Sequence, residues 1–155
     1  MSYEIRTEWA RARALAAIRE ATTRRRLGAD IVRLLDLVWP VLREQGVRAD
    51  HNVVVYQGGA DGSLTADVGV EVLTDFEDCG RVRHVSTPSG EVATVAYFGE
   101  YSGMTPAYAA LDRWWADSGR APAGVSWEVY GDWAEDPAKL RTDIYYLLEP
   151  RAVTG

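Results

Sequence analysis

From Ala66 to Val72 apolar and polar residues alternate. Val68, Val70 and Val72 fall on one side of an extended chain, and Asp67, Gly69 and Glu71 on the other. A period of two is the signature of a strand with one face toward a core, so the valines are expected to face inward and the polar set outward. Just upstream, Asn52–Tyr56 is rich in valine and reads as the strand's partner. Two other stretches repeat at helical spacing. Ile31, Leu34, Leu35, Val38 and Leu42 predict a helix over 29–45, closed by Gly46 and bent at Pro40. Met104, Tyr108, Leu111 and Trp115 predict a second helix over 102–118, closed by Gly119. It too is followed by two strand-like segments, Ser126–Tyr130 and Thr142–Leu148. Gly58–Gly62 and Gly131–Pro137 carry the turn residues between the paired strands.

These elements form an internal repeat. Gly46 matches Gly119, Tyr56 matches Tyr130 and Asp67 matches Asp143, at a nearly constant separation. Glu91–Phe98 has the β-branched and aromatic content of a strand leading into the second helix. Its counterpart before the first helix spans 3–21, bent between Trp9 and Arg13. Residue propensity alone would make 8–26 a helix, because Ala, Arg and Glu dominate it; the repeat argues for a strand, and tertiary context routinely overrides propensity. The predicted fold is α+β: a tandem βαββ repeat with pseudo-twofold symmetry, a mainly antiparallel sheet and two helices on one face. All of 1–155 is expected to form one domain, with repeat one at about 3–73 and repeat two at about 82–149.

The repeat also assigns faces. Ile144, Tyr146 and Leu148 correspond to the inward valines, so Tyr145 should point away. The strand Trp127-Glu128-Val129-Tyr130 stays ambiguous on pattern alone. Val125, Trp127 and Val129 make one face; Ser126, Glu128 and Tyr130 make the other. Periodicity by itself favours the tryptophan in the core and Glu128 in water.

Composition narrows the functional classes. A net charge of −6 repels phosphate backbones and argues against direct nucleic-acid binding. Arg24-Arg25-Arg26 reads as a solvated turn before the first helix. The single cysteine, Cys79, sits in an acidic loop that disfavours a thiolate, and it permits no intrachain disulfide. The apolar runs are too short for a membrane span or a signal peptide, so the expected location is cytoplasmic. His51 and His84 stand apart and are expected to be structural or solvent-facing. The chain carries no Gly-x-Ser-x-Gly elbow, no P-loop and no His/Cys cluster at metal-ligand spacing, so no metal or cofactor is implied.

Gly99-Glu100-Tyr101, the helix ending Trp114-Trp115-Ala116-Asp117-Ser118-Gly119, the strand Trp127-Glu128-Val129-Tyr130, then Asp136-Pro137 and Thr142-Asp143-Ile144-Tyr145 follow one another in an order that resembles the GyrI-like small-molecule-binding family. That family includes the effector-binding domains of AraC- and MerR-type multidrug regulators. The resemblance implies a cleft between the two repeats. It also implies that Glu128 lies there with Ser126 and Tyr130 to meet cationic aromatic ligands. The repeat begins at about residue 3, without a helix-turn-helix before it, so the expectation is a stand-alone member. The resemblance also brings two alternatives: a hydrolase opening strained cyclopropane rings of DNA-alkylating compounds, with Glu128 and Tyr146 as the catalytic pair, and a gyrase-binding inhibitor.

A carboxylate among aromatic rings loses hydration, which disfavours its charge unless a countercharge arrives. A cationic ligand supplies one, and ring faces add cation–π attraction of about 0.5–2 kcal/mol each. Twelve of the sixteen aromatic residues lie at or beyond Phe76, so the second repeat holds most of the candidate lining. Tyr130 and Tyr146 come first, with hydroxyls able to bond Glu128. Tyr56 is the repeat mate of Tyr130. Trp39, Tyr108 and Trp115 are helix candidates, although aromatics at helical spacing are more often ordinary core. A homodimer is also possible.

Overall fold

The computed structural model describes residues 3–58 and 63–150. Except for Gly58, the predicted glycine-rich turn lies outside the described residues. Ten elements follow one another: β1 (Arg6–Ala10), β2 (Ala14–Thr22), α1 (Leu27–Glu44), β3 (Ala49–Gly58), β4 (Leu64–Val72), β5 (Arg83–Ser86), β6 (Gly90–Phe98), α2 (Thr105–Ser118), β7 (Pro122–Tyr130) and β8 (Arg141–Leu148). The repeat prevails over helical propensity at the start of the chain. Residues 14–22 are a strand, and the break at 11–13 falls within the bend that the repeat requires. The predicted second helix loses its first residues to a short 3₁₀ turn at Tyr101–Gly103, and α2 starts at Thr105 with Pro106 in its first turn. β5 was not anticipated; its four residues, Arg83-His84-Val85-Ser86, are too few and too polar to show a period.

By contacts the chain divides into two compact units, Met1–Arg11 with Ser89–Gly155, and Ala12–Pro88. The expected first repeat is therefore split, because the limb before the bend pairs with β6 and the limb after it with β4 and β5.

In the Ala12–Pro88 unit the strands run in the order β3-β4-β2-β5, all antiparallel neighbours. α1 lies against β4 and β2 and buries Leu34, Val38 and Leu42. Gly46 closes it at φ +67, as predicted. The polar face of β4 is largely withdrawn from water. Asp67 is 4 % exposed and accepts two hydrogen bonds from the Arg19 guanidinium, 2.8 and 3.1 Å long. Glu71 accepts one from Arg13 at 2.9 Å. A bidentate guanidinium satisfies a desolvated carboxylate, which is how a polar face can be covered. The Arg24–Arg26 run is an exposed turn, as expected.

His84 is not isolated. Its Nε2 lies 3.0 Å from Asp75 Oδ1 and its Nδ1 2.6 Å from Asp78 Oδ1, with the ring stacked on Phe76 at 4.0 Å. Hydrogen bonds to Asp75 and Asp78 raise the imidazole above its ordinary value of 6.5, and the same bonds lower both carboxyls below 3.8. The raised His84 stabilises fully below 6.5 and loses its contribution as pH rises through the folded value. The lowered aspartates contribute above 3.8 and lose it as pH falls through theirs. His84→Gln should therefore lower the melting temperature relative to wild type at about pH 5.5, with the gap closing by about pH 9. Parallel thermal melts at the two pH values check this.

In the other unit the order is β1-β6-β8-β7, again antiparallel. Ala93, Val95, Tyr97, Ala107, Leu111, Ile144 and Leu148 form a buried cluster that packs α2 on the sheet, with Met104, Tyr108, Trp114 and Tyr146 around it. Gly119 at φ +71 ends α2, as its sequence position suggested.

Candidate functional site

The β7–β8 register resolves the ambiguous strand. Ser126 is opposite Tyr146, Trp127 opposite Tyr145, Glu128 opposite Ile144 and Tyr130 opposite Thr142. Directly opposed residues share a face. Ile144 and Tyr146 belong to the core beneath α2, so Ser126, Glu128 and Tyr130 face that helix. Tyr145 points the other way, as the repeat predicted, and its ring stacks on that of Trp127 at 5.4 Å and 13°. Both faces of β7 are buried: Trp127 is 1 % exposed and Glu128 4 %. The simple choice between a core face and a water face does not apply here.

Two phenol hydroxyls converge on the Glu128 carboxylate. Tyr108, reaching down from α2, donates to Oε2, and Tyr130, two residues on along β7, donates to Oε1. Residues i and i+2 of a strand share a side, so the Glu-x-Tyr spacing itself delivers the second contact. Further rings extend from this pair. Tyr101 meets Tyr130 edge-on at 5.4 Å; Tyr146 lies 6.1 Å from Tyr108, and Trp115 lies 6.2 Å from Tyr146. Tyr108 and Trp115 are seven residues apart on α2, two turns along one helix face.

Each ring is held by a polar anchor. The Tyr146 hydroxyl donates to Asp112 Oδ1 at 3.1 Å, and the Trp115 indole N–H donates to the carbonyl of Arg120. The loop bearing Tyr101 is fastened by Tyr97, whose hydroxyl donates to the Glu100 carbonyl at 2.6 Å. Gly99 makes this fit possible. It sits at φ +142, and a Cβ there would come within 2.7 Å of the Tyr97 hydroxyl. On β8, opposite Tyr130, Thr142 is fully buried, and its Oγ1 has no hydrogen-bond partner among the described residues.

Of the sequence-predicted residues, this unit brings together Glu128, Tyr130, Tyr108, Tyr146, Trp115 and Ser126. Tyr56 and Trp39 belong to the Ala12–Pro88 unit. There Tyr56 is buried in β3 and Trp39 donates to Asn52 Oδ1 at 3.0 Å. Three residues were missed. Tyr101 stands in a motif already quoted, just before the predicted helix over 102–118, and lies at the start of an exposed 3₁₀ turn. Asp112 was detectable as the position four after Tyr108 on the same helix face. Thr142 opens a motif already quoted, and it falls two residues before Ile144 on the same inward alternation. Among the described residues no group of His, Cys, Asp and Glu could hold a metal ion, and no helix is long and apolar enough to cross a membrane.

Residues 4–149 match the family model of the GyrI-like small molecule binding domain. The chain belongs to this family. No curated protein sequence matches the chain. Solved structures of the same fold include the EcmrR C-terminal domain, at TM-score 0.82 and 16% identity, covering 96% of this chain and 99% of that one. SAV2435 bound to tetraphenylphosphonium aligns at TM-score 0.71 and 11% identity, over 96% and 94%. A hydrolase encoded by lin2189 from Listeria innocua aligns at 0.59 and 10%, over 94% and 92%. This GyrI-like domain thus shares its fold with the EcmrR C-terminal domain, a protein seen with tetraphenylphosphonium and a hydrolase.

Proposed function

We propose that this GyrI-like domain binds hydrophobic aromatic, preferably cationic, small molecules beside Glu128, which serves as their countercharge. The observation that carries the reading is a carboxylate 4 % exposed, held by two tyrosine hydroxyls within a row of aromatic rings. The two hydroxyls give both carboxylate oxygens a hydrogen-bond partner, and a buried carboxyl that accepts hydrogen bonds costs far less than a bare one. The faces of Tyr108, Tyr130, Tyr146 and Trp115 offer contact that tolerates variation in shape. SAV2435, with tetraphenylphosphonium bound, supports this as a neighbour in fold. Titrating tetraphenylphosphonium into wild type and Glu128→Gln tests the reading; equal affinity for the two would overturn it.

One observation favours a second reading. Glu128 has a phenol on each carboxylate oxygen, an arrangement suited to exchanging a proton with a bound molecule. In ring-opening hydrolysis Glu128 would take a proton from water as its oxygen bonds to a cyclopropane carbon. The ring C–C bond would break and a tyrosine would protonate the departing carbon. The resemblance pairs Glu128 with Tyr146 as that donor; Tyr108 and Tyr130 are the hydroxyls on Glu128. Incubation with a cyclopropane-bearing alkylator and mass spectrometry of the products decides. Turnover no greater than that of Glu128→Ala leaves binding alone.

A further inference from the structure

β1 stands at one end of its unit's strand order and, among the described residues, pairs only with β6. Its other edge therefore presents an unpaired row of backbone N–H and C=O groups. Such an edge is a template for another strand, and proteins usually blunt it with short length, lysine, proline or a covering loop. β5, the edge of the Ala12–Pro88 unit, is blunted in this way. It has four residues, begins Arg83-His84, and has the His84 backbone N–H occupied by the Asp78 carboxylate at 3.1 Å. β1 has neither lysine nor proline. Arg6, Thr7, Glu8 and Trp9 are all exposed, Trp9 at 71 %.

The order of these residues points to an occupant. Thr7 is opposite Ala93 and Trp9 opposite Glu91, so Thr7 and Trp9 lie on the α2 side together with Ile5, which packs against the core there. Arg6 and Glu8 lie on the other side. In an antiparallel pair of identical strands, opposed side chains must share a face, so the twofold axis must pass through a residue position. An axis at Arg6 sets Arg6 against Arg6 and Glu4 against Glu8. An axis at Glu8 sets Glu8 against Glu8. An axis at Thr7 sets each Arg6 against the other copy's Glu8, and each Ile5 against the other copy's Trp9. An axis at Ile5, outside β1, also sets Glu4 against Arg6 but leaves both Trp9 residues uncovered by β1; only the Thr7 register opposes unlike charges within β1 and also sets an apolar residue over each exposed indole.

We propose that β1 pairs antiparallel with β1 of a second copy of this chain about a twofold axis at Thr7, joining two four-stranded sheets into one. The contact is isologous, so it closes as a dimer and does not propagate. Arg6 and Glu8 are exposed, which allows a charge-reversal test without disturbing the core. Sedimentation velocity on the full chain, at concentrations up to about 1 mM, should show a dimer. Arg6→Glu or Glu8→Arg alone sets like charges opposite each other at two places, and either should weaken dimerisation about tenfold. The double variant Arg6→Glu with Glu8→Arg restores unlike charges and should recover the wild-type dissociation constant. A wild type that stays monomeric throughout overturns the proposal. So does a dimer indifferent to Arg6→Glu, or a double variant no better than the singles.

Discussion

Glu128→Gln is expected to weaken tetraphenylphosphonium binding about 30-fold, on the order of 2 kcal/mol, while leaving affinity for neutral triphenylphosphine oxide nearly unchanged. The two probes share three phenyl rings and differ in charge. Glutamine keeps the size of the side chain; its carbonyl oxygen accepts from one of the two tyrosine hydroxyls and its amide N–H donates to the other, so the ring packing is retained. What is lost is the negative charge in a site only 4 % exposed, where water screens little. Tetraphenylphosphonium has no N–H or O–H donor. It need not displace either tyrosine hydroxyl, and its gain comes from charge and ring contact. Isothermal titration of both probes against both proteins separates the contributions. A parallel loss for both probes would mean that Glu128 matters for shape and not for charge.

Gly69→Ala is expected to destabilise the fold by about 3 kcal/mol, at the upper end of overpacking costs. Gly69 lies in β4 directly opposite Ala17 of β2, between two paired strands. A Cβ at this position would come within 2.6 Å of both Ala17 Cα and Ala17 Cβ, and closer still to the Ala16 carbonyl oxygen. Those atoms belong to backbone or to a side chain with no rotamer to change, so relief requires moving β2. Ala16 and Ala17 are fully buried, leaving little slack. Gly28 is the contrast. A Cβ there meets nothing within 4 Å, and the residue lies in the first turn of α1. Gly28→Ala should stabilise by about 0.5 kcal/mol, through the reduced freedom of the unfolded chain and better helix propensity. Urea unfolding of the two variants, read as midpoint shifts of opposite sign, checks both. A Gly69→Ala midpoint within error of wild type would show that β2 can yield.

The β4 strand shows how much of the fold local pattern carries. Its alternation identified the valine face correctly, because a period of two is a property of the backbone. The same pattern misjudged the opposite face. Asp67 and Glu71 look solvent-exposed by residue type, yet each is covered by an arginine brought in from β2 or the bend before it. Likewise, Ala14–Thr22 has the residues of a helix and adopts a strand, because β4 and β5 supply backbone partners on both its edges. The internal repeat found this where propensity did not, since repetition reports the tertiary environment and propensity only the isolated segment.

The Glu128 site divides along the same line. The sequence by itself determined the strand, the Glu-x-Tyr spacing that places Tyr130 on the carboxylate, and the helix face shared by Tyr108, Leu111 and Trp115, because each follows from the geometry of a single element. It could not determine which side of β7 faces α2, that Trp127 is buried against Tyr145 on the other side, or that Tyr108 from α2 reaches Glu128. Those depend on the β7–β8 register and on how far α2 stands above the sheet. Hydrogen bonds and packing between elements set both, and no segment specifies them alone.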